Sequence, residues 1–75
     1  MPTVEIEIFG QLLPGQPRRR TLEIQGPATA LDLAHMIGLD VEEIGLLSID
    51  GVQSELDASV QPNARVCFFP YLSGG

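Results

Sequence analysis

The chain has 75 residues, 44% of them apolar, and a net charge of −6, which describes one small acidic globular domain and argues against intrinsic disorder. At this length folding buries only about 60% of the surface that the unfolded chain exposes, so a deep catalytic cleft is not expected. Ten acidic residues against four arginines and no lysine oppose general nucleic-acid binding, which rests on neutralising phosphates, and point instead to a basic protein partner.

A single cysteine cannot close an internal disulfide, and with a single histidine it cannot supply the usual four ligands of a zinc site, so no metal site is expected. That usage fits a reducing compartment. No charged-then-apolar leader is visible and no apolar run approaches the ~20 residues that a bilayer requires. A soluble, cytoplasmic protein without a membrane partner is expected.

In chain order, Thr3 to Phe9 alternates, with Val4, Ile6 and Ile8 on one face and the glutamates on the other, as a half-buried strand does. Gly10, Pro14, Gly15 and Pro17 interrupt the pattern, and alternation resumes over Thr21 to Gln25, which predicts a hairpin with a longish loop. Arg18, Arg19 and Arg20 fall at the end of that hairpin and read as a solvated cluster rather than an anion site. Gly26-Pro27 ends the strand. Thr29 stands three residues before Asp32, an N-cap with an acidic first turn, and Ala30, Leu33, Ala34 and Ile37 recur at helical spacing up to Gly38.

Val41 to Gly45 reads as a single turn, Leu46 to Asp50 as a strand, and Asp50-Gly51 as a tight reversal into the short strand Val52-Gln53. Gln61-Pro62-Asn63-Ala64 is a further turn, and Arg65 to Phe69 a last strand with Val66 and Phe68 toward the core. One helix packed across a mixed sheet of four to five strands buries both apolar faces in two layers, an α+β fold. If the strands flanking the helix are parallel, the connection through it should be right-handed.

Alternation in the last strand sends Cys67 and Phe69 to the face away from the helix, where a single layer leaves them partly exposed. Phe69, Pro70, Tyr71 and Leu72 then form an apolar anchor for a partner, the competing reading being that Phe69 folds against the tail or a neighbouring loop. Nothing near Cys67 in sequence lowers its pKa, so a persulfide on that thiol is not favoured. His35, Glu42, Glu43 and Asp50 read as surface or turn charges rather than acid-base groups. The chain closes on Ser73-Gly74-Gly75. Without side chains, the last two residues can lie extended in a slot too narrow for others, which makes the Gly75 carboxylate the candidate reactive group; simple fraying of a chain end is the alternative.

The order of elements, the Asp50-Gly51 reversal and above all the ending Arg65-Val66-Cys67-Phe68-Phe69-Pro70-Tyr71-Leu72-Ser73-Gly74-Gly75 resemble the MoaD/ThiS group of ubiquitin-like β-grasp sulfur carriers, most closely the small subunit of molybdopterin synthase. Val66, Phe68, Phe69, Pro70, Leu72, Ser73, Gly74 and Gly75 match the family pattern. Tyr71 stands where a second proline is common, and Asn63-Ala64 where Gly-Asp is usual. Carriers for thiazole synthesis usually lack the Phe-Phe-Pro element.

The resemblance implies a ubiquitin-like β-grasp domain over residues 1–72 and an exposed, flexible tail over 73–75. It implies a carrier and co-substrate rather than an enzyme, at most the non-catalytic small subunit of a molybdopterin synthase-like sulfurtransferase. Gly75 would be the site of adenylation and thiocarboxylate formation, Gly74 and Ser73 the tail that carries it, and Phe69 to Leu72 the partner-binding stretch. No Gly-rich phosphate loop with a following Lys-Ser/Thr is present, so ATP and magnesium fall to the activating partner and this chain binds no cofactor of its own. The implied partners are an adenylyltransferase related to ubiquitin-activating enzymes, a persulfide sulfur donor and an acceptor such as the molybdopterin synthase large subunit. A carrier for thiamine thiazole or another sulfur-transfer pathway is one alternative, and a ubiquitin-like modifier joined to target lysines another. A third is an interaction domain with an unreactive tail.

Overall fold

The alternation at the start of the chain forms strand β1, Thr3–Ile8, whose Val4, Ile6 and Ile8 are buried while Glu5 stays exposed. The structure, a computed structural model, describes residues 1–71. Strand β2, Arg19–Glu23, pairs antiparallel with β1, setting Thr3 opposite Glu23 and Glu7 opposite Arg19. It begins two residues before the expected Thr21, because the Ile8 N–H donates to the Arg18 carbonyl at 2.8 Å and extends the ladder to the loop. Ile24 follows the strand, yet its side chain is buried and its N–H reaches the Pro2 carbonyl at 3.0 Å.

The helix α1, Ala30–Met36, starts and stops where the sequence places its signals. The Thr29 hydroxyl accepts from the Asp32 N–H at 3.2 Å, and the Asp32 carboxylate accepts from the Thr29 N–H at 2.9 Å, a reciprocal capping box. At the other end Gly38, at φ 78°, turns the chain left-handed, so that its N–H meets the His35 carbonyl and the Leu39 N–H meets that of Ala34. This double closure is the Schellman motif, and Leu39 buries itself beneath it. A 3₁₀ turn over Val41–Glu43 follows, capped by the Asp40 carboxylate on the Glu42 N–H.

Strand β4, Ile44–Ile49, starts two residues earlier than expected and reverses through Asp50 (φ 52°) and Gly51 (φ 84°) into β5, Val52–Ser54. Two central residues of positive φ between paired Ile49 and Val52 define a type I′ hairpin. The last strand, β7, Arg65–Pro70, runs one residue beyond the expected Phe69. Two further strands, β3 (Ala28–Thr29) and β6 (Ser59–Val60), form a separate antiparallel ladder that sequence reasoning missed. Two residues are too few to show alternation.

The main sheet has the order β2-β1-β7-β4-β5, with β1 and β7 parallel and the other pairs antiparallel. The strands flanking α1, β2 and β4, therefore run in the same direction with β1 and β7 between them. One layer of side chains joins sheet to helix: Val4, Ile6, Val66 and Phe68 from the central strands pack with Ala30, Leu33, Ala34 and Ile37. No buried polar side chain interrupts this core among the described residues. Its uniform apolarity is what a domain this small needs to offset the entropy of folding.

Candidate functional site

Because β7 is the central strand, its alternate residues decide what each face of the sheet carries. Val66 and Phe68 are fully buried beneath the helix, whereas Cys67 and Phe69 lie half-buried on the opposite, open face. Phe69 is not a solitary anchor. Its ring stacks on Phe9, which follows β1, with centroids 4.6 Å apart and planes within 10°. Phe69 thus folds against the residue that follows β1, as the packing reading expects, and both rings are half-buried. Leu46 pairs with Phe69 from β4 and is 41% exposed, and Tyr71, next along the chain, is 65% exposed. Phe9, Phe69 and Leu46 make an apolar end to the open face, and Tyr71 follows it in the chain.

Phe9 and Leu46 were missed from sequence as members of this patch. Leu46 sits at an outward position of β4 and Phe9 just past β1, but only the parallel register Ile8 to Phe68 and the antiparallel register Leu46 to Phe69 bring them together. Beside Tyr71 lies a shallow cleft of about 300 Å³ lined by Gln11, Leu12, Glu42, Glu43 and Pro70. Glu42 and Glu43 are exposed turn residues, as expected, and they place negative charge where the chain leaves the sheet.

Further along the open face, Glu7 takes two arginines. Arg65 on β7 hydrogen-bonds one carboxylate oxygen, and Arg19 on β2 approaches the other at 3.5 Å. The Arg65 hydrogen bond chiefly holds the Glu7 carboxyl below its usual range, and Glu7 in turn raises the pKa of Arg65. Cys67 lies between Glu7 and Ser48 in register. His35 is exposed near the helix end.

Arg18 and Arg19 are exposed at the hairpin end, as expected of a solvated cluster, but each arginine there also has a partner. Arg18 donates to the carbonyls of Gly10 at 3.0 Å, Leu12 at 2.6 Å and Leu13 at 2.6 Å, fastening the β1–β2 loop in which Leu13 holds a positive φ of 46°. Arg19 serves Glu7, and Arg20 reaches the Gln16 side chain at 3.4 Å. Five guanidinium donors in a rigid fork suit Arg18 to this task of satisfying several loop carbonyls. Asp50 is likewise more than a solvated turn charge: its carboxylate accepts from the Arg65 N–H at 3.0 Å and its own N–H donates to the Arg65 carbonyl at 2.8 Å, tying the hairpin to β7.

Pro70 is half-buried at the end of β7, paired with Ile44. The expected site residues Leu72, Ser73, Gly74 and Gly75 lie outside the described residues. Among the described residues no three acidic, histidine or cysteine side chains group to hold a metal, and no helix is long and apolar enough to cross a membrane.

One helix across a mixed five-stranded sheet, with the first and last strands parallel at its centre, is the ubiquitin-like β-grasp. The crystal structure of SAMP1 from Haloferax volcanii has this fold at a TM-score of 0.75, with 21% sequence identity over 97% of this chain and 99% of that one. No protein-family model matches the chain, and no curated protein matches its sequence.

Proposed function

We propose that this protein is a ubiquitin-like sulfur carrier, whose Gly75 carboxylate a partner activates and converts to a thiocarboxylate for molybdopterin synthesis. The observation that carries the reading is the setting of Tyr71. The central strand of the sheet delivers it, 65% exposed, two residues after the stacked Phe69 and four before the final Gly75. A reactive terminus adjoining an apolar docking patch suits a substrate that another enzyme must grip and reach. The Phe68-Phe69-Pro70 element favours the molybdopterin branch over thiazole synthesis.

A carboxylate resists displacement by sulfur because its leaving group would be oxide. In the proposed sequence a carboxylate oxygen of Gly75 attacks the α-phosphorus of ATP held by the adenylyltransferase, pyrophosphate departs, and AMP becomes the leaving group. The terminal sulfur of a persulfide donor attacks the acyl carbon and displaces AMP. A thiol then cleaves the acyl disulfide, releasing the thiocarboxylate and leaving the donor sulfur in a disulfide. The acidic Glu42 and Glu43 beside the exit fit a basic rim on the partner.

Incubation with ATP, magnesium, a matching adenylyltransferase and a persulfide donor should replace one oxygen by sulfur, with fragmentation placing the mass on Gly75. Alanine appended after Gly75 should block it. Added mass on Cys67, or equal thiolation of the extended chain, would overturn the reading; isopeptide conjugates to lysines of other proteins in extract would favour the modifier instead.

A further inference from the structure

Pro70 occupies a place where proline is uncommon, as the last residue of the central strand of a sheet rather than on an edge strand. Two glycines accommodate it, one from each neighbouring strand's side. On the β1 side, Gly10 stands at φ 62°, and a Cβ built on it would lie 2.6 Å from Pro70 Cγ and 3.2 Å from Cδ. On the β4 side the register slips between Ile44 and Leu46, leaving Gly45 as the extra residue of a bulge. A Cβ there would lie 2.6 Å from the Pro70 carbonyl oxygen and 2.8 Å from Tyr71 Cα. Gly15, Gly26, Gly38 and Gly51 would each meet nothing within 4 Å. Among the glycines of the described residues, such close approach is therefore confined to the pair that meets the end of β7.

We infer that Gly10 and Gly45 form a collar around Pro70 that sets the direction in which the chain leaves the sheet at Tyr71, making them positioning residues for activation of the tail. The inference rests on the reading of Gly75 as the reacting end, but its geometry does not. The proline ring fills the space that a side chain on Gly10 would take. The bulge at Gly45 lets the β4 backbone close on the Pro70 carbonyl and Tyr71, while the Phe9–Phe69 stack and the Phe9 N–H to Phe68 carbonyl bond at 3.1 Å secure the preceding step. A tail launched in one direction loses less orientational freedom when a partner captures it, and a misplacement of about 1 Å can cost on the order of 100-fold in rate.

The chain contains its own probe. Tyr71 is the only tyrosine and there is no tryptophan, so tyrosine fluorescence anisotropy reports the residue just past the collar. Gly10→Ala and Gly45→Ala should lower the Tyr71 anisotropy of the free full-length chain, with amide-exchange protection in β1 and β7 retained. Gly51→Ala shares with Gly10→Ala a positive φ (84°) but meets nothing within 4 Å, and should cost stability without moving the signal. Pro70→Ala, which removes atoms rather than adding them, should also lower it, and in that background Gly10→Ala should add nothing. Native anisotropy in folded Gly10→Ala, or in Pro70→Ala should the glycine variants fail to fold, overturns the collar; so does an equal fall in Gly51→Ala. If the native chain gains no sulfur on Gly75 while these shifts occur, the carrier reading fails and the collar stands. With the activating enzyme in hand, the glycine variants should lose on the order of 10- to 100-fold in kcat/KM while their melting transitions remain cooperative.

Discussion

Phe68 and Phe69 are consecutive and chemically identical, yet their positions make opposite predictions. Phe68 is fully buried in the central strand, packed with the helix, so Phe68→Ala removes a large side chain from a site that cannot collapse. The expected cost is about 3–5 kcal/mol, a large share of the ~4–11 kcal/mol usual for a chain of this length. Chemical denaturation should show the midpoint falling sharply. Phe69→Ala, on the open face, should leave the chain folded and weaken partner association by roughly tenfold, as loss of one interface anchor does. Phe9→Ala should have a similar effect through the lost stack, whereas Cys67→Ser should bind as the native chain does; titration calorimetry distinguishes them. Glu7 supplies a pH dependence of definite sign. Its folded pKa lies below its unfolded value, so the stabilisation from Arg65 and Arg19 is complete above the ordinary carboxylate range and is lost as pH falls through the folded value. The thermal-stability gap between the native chain and Glu7→Gln should therefore shrink between about pH 6 and about pH 3. Both arginines are largely exposed, so added salt should narrow the gap as well.

At the scale of elements, α1 is only seven residues long, far below the ~12–15 at which isolated helices become marginal. Its stability comes from its ends and its buried face. Thr29 and Asp32 satisfy each other's backbone donors, and the Ala30 and Leu31 N–H groups donate to the Ala58 and Leu56 carbonyls at 3.1 and 2.8 Å. The small β3–β6 ladder thus positions acceptors for the first turn, which explains why so short a pairing persists. Thr29→Ala should cost about 1 kcal/mol, lowering the melting temperature by roughly 4–8 °C in a domain of this size. Asp32 is held below its usual pKa chiefly by the Thr29 N–H, so the cap should weaken on acidification, read as earlier exchange of the first-turn amides at low pH.

At the scale of the whole molecule, the proposed reactive end follows the last strand of the sheet in sequence. If the tail contributes no apolar packing, deleting Gly74 and Gly75 should leave the melting temperature nearly unchanged while abolishing activation. A large loss of stability would mean that the tail packs on the domain. The chain as a whole carries −6, with Glu42 and Glu43 flanking the exit beside Tyr71. Association with a basic partner should accordingly slow as ionic strength rises, with dissociation changing less, which stopped-flow measurements in graded salt can resolve.

Local chemistry was legible from the residues alone. Alternation assigned Val4, Ile6, Ile8, Val66 and Phe68 to one face, Thr29 and Gly38 bounded the helix, and Asp50-Gly51 marked the type I′ reversal, because each depends on a few consecutive side chains and backbone angles. The diglycine ending was equally plain in the sequence. What no local pattern contains is who lies beside whom. Alternation says that Glu7, Phe9 and Phe69 face away from the helix, but only the parallel pairing of β1 with β7 sets Arg65 on Glu7 and Phe69 on Phe9. The same holds for Arg18, whose role is defined by the carbonyls of a loop folded back upon it, and for Gly10 and Gly45, whose lack of a side chain matters only because Pro70 arrives between them. Strand register between distant segments follows from how helix and sheet bury their apolar faces together, so the open face, and with it the site, is decided by tertiary packing.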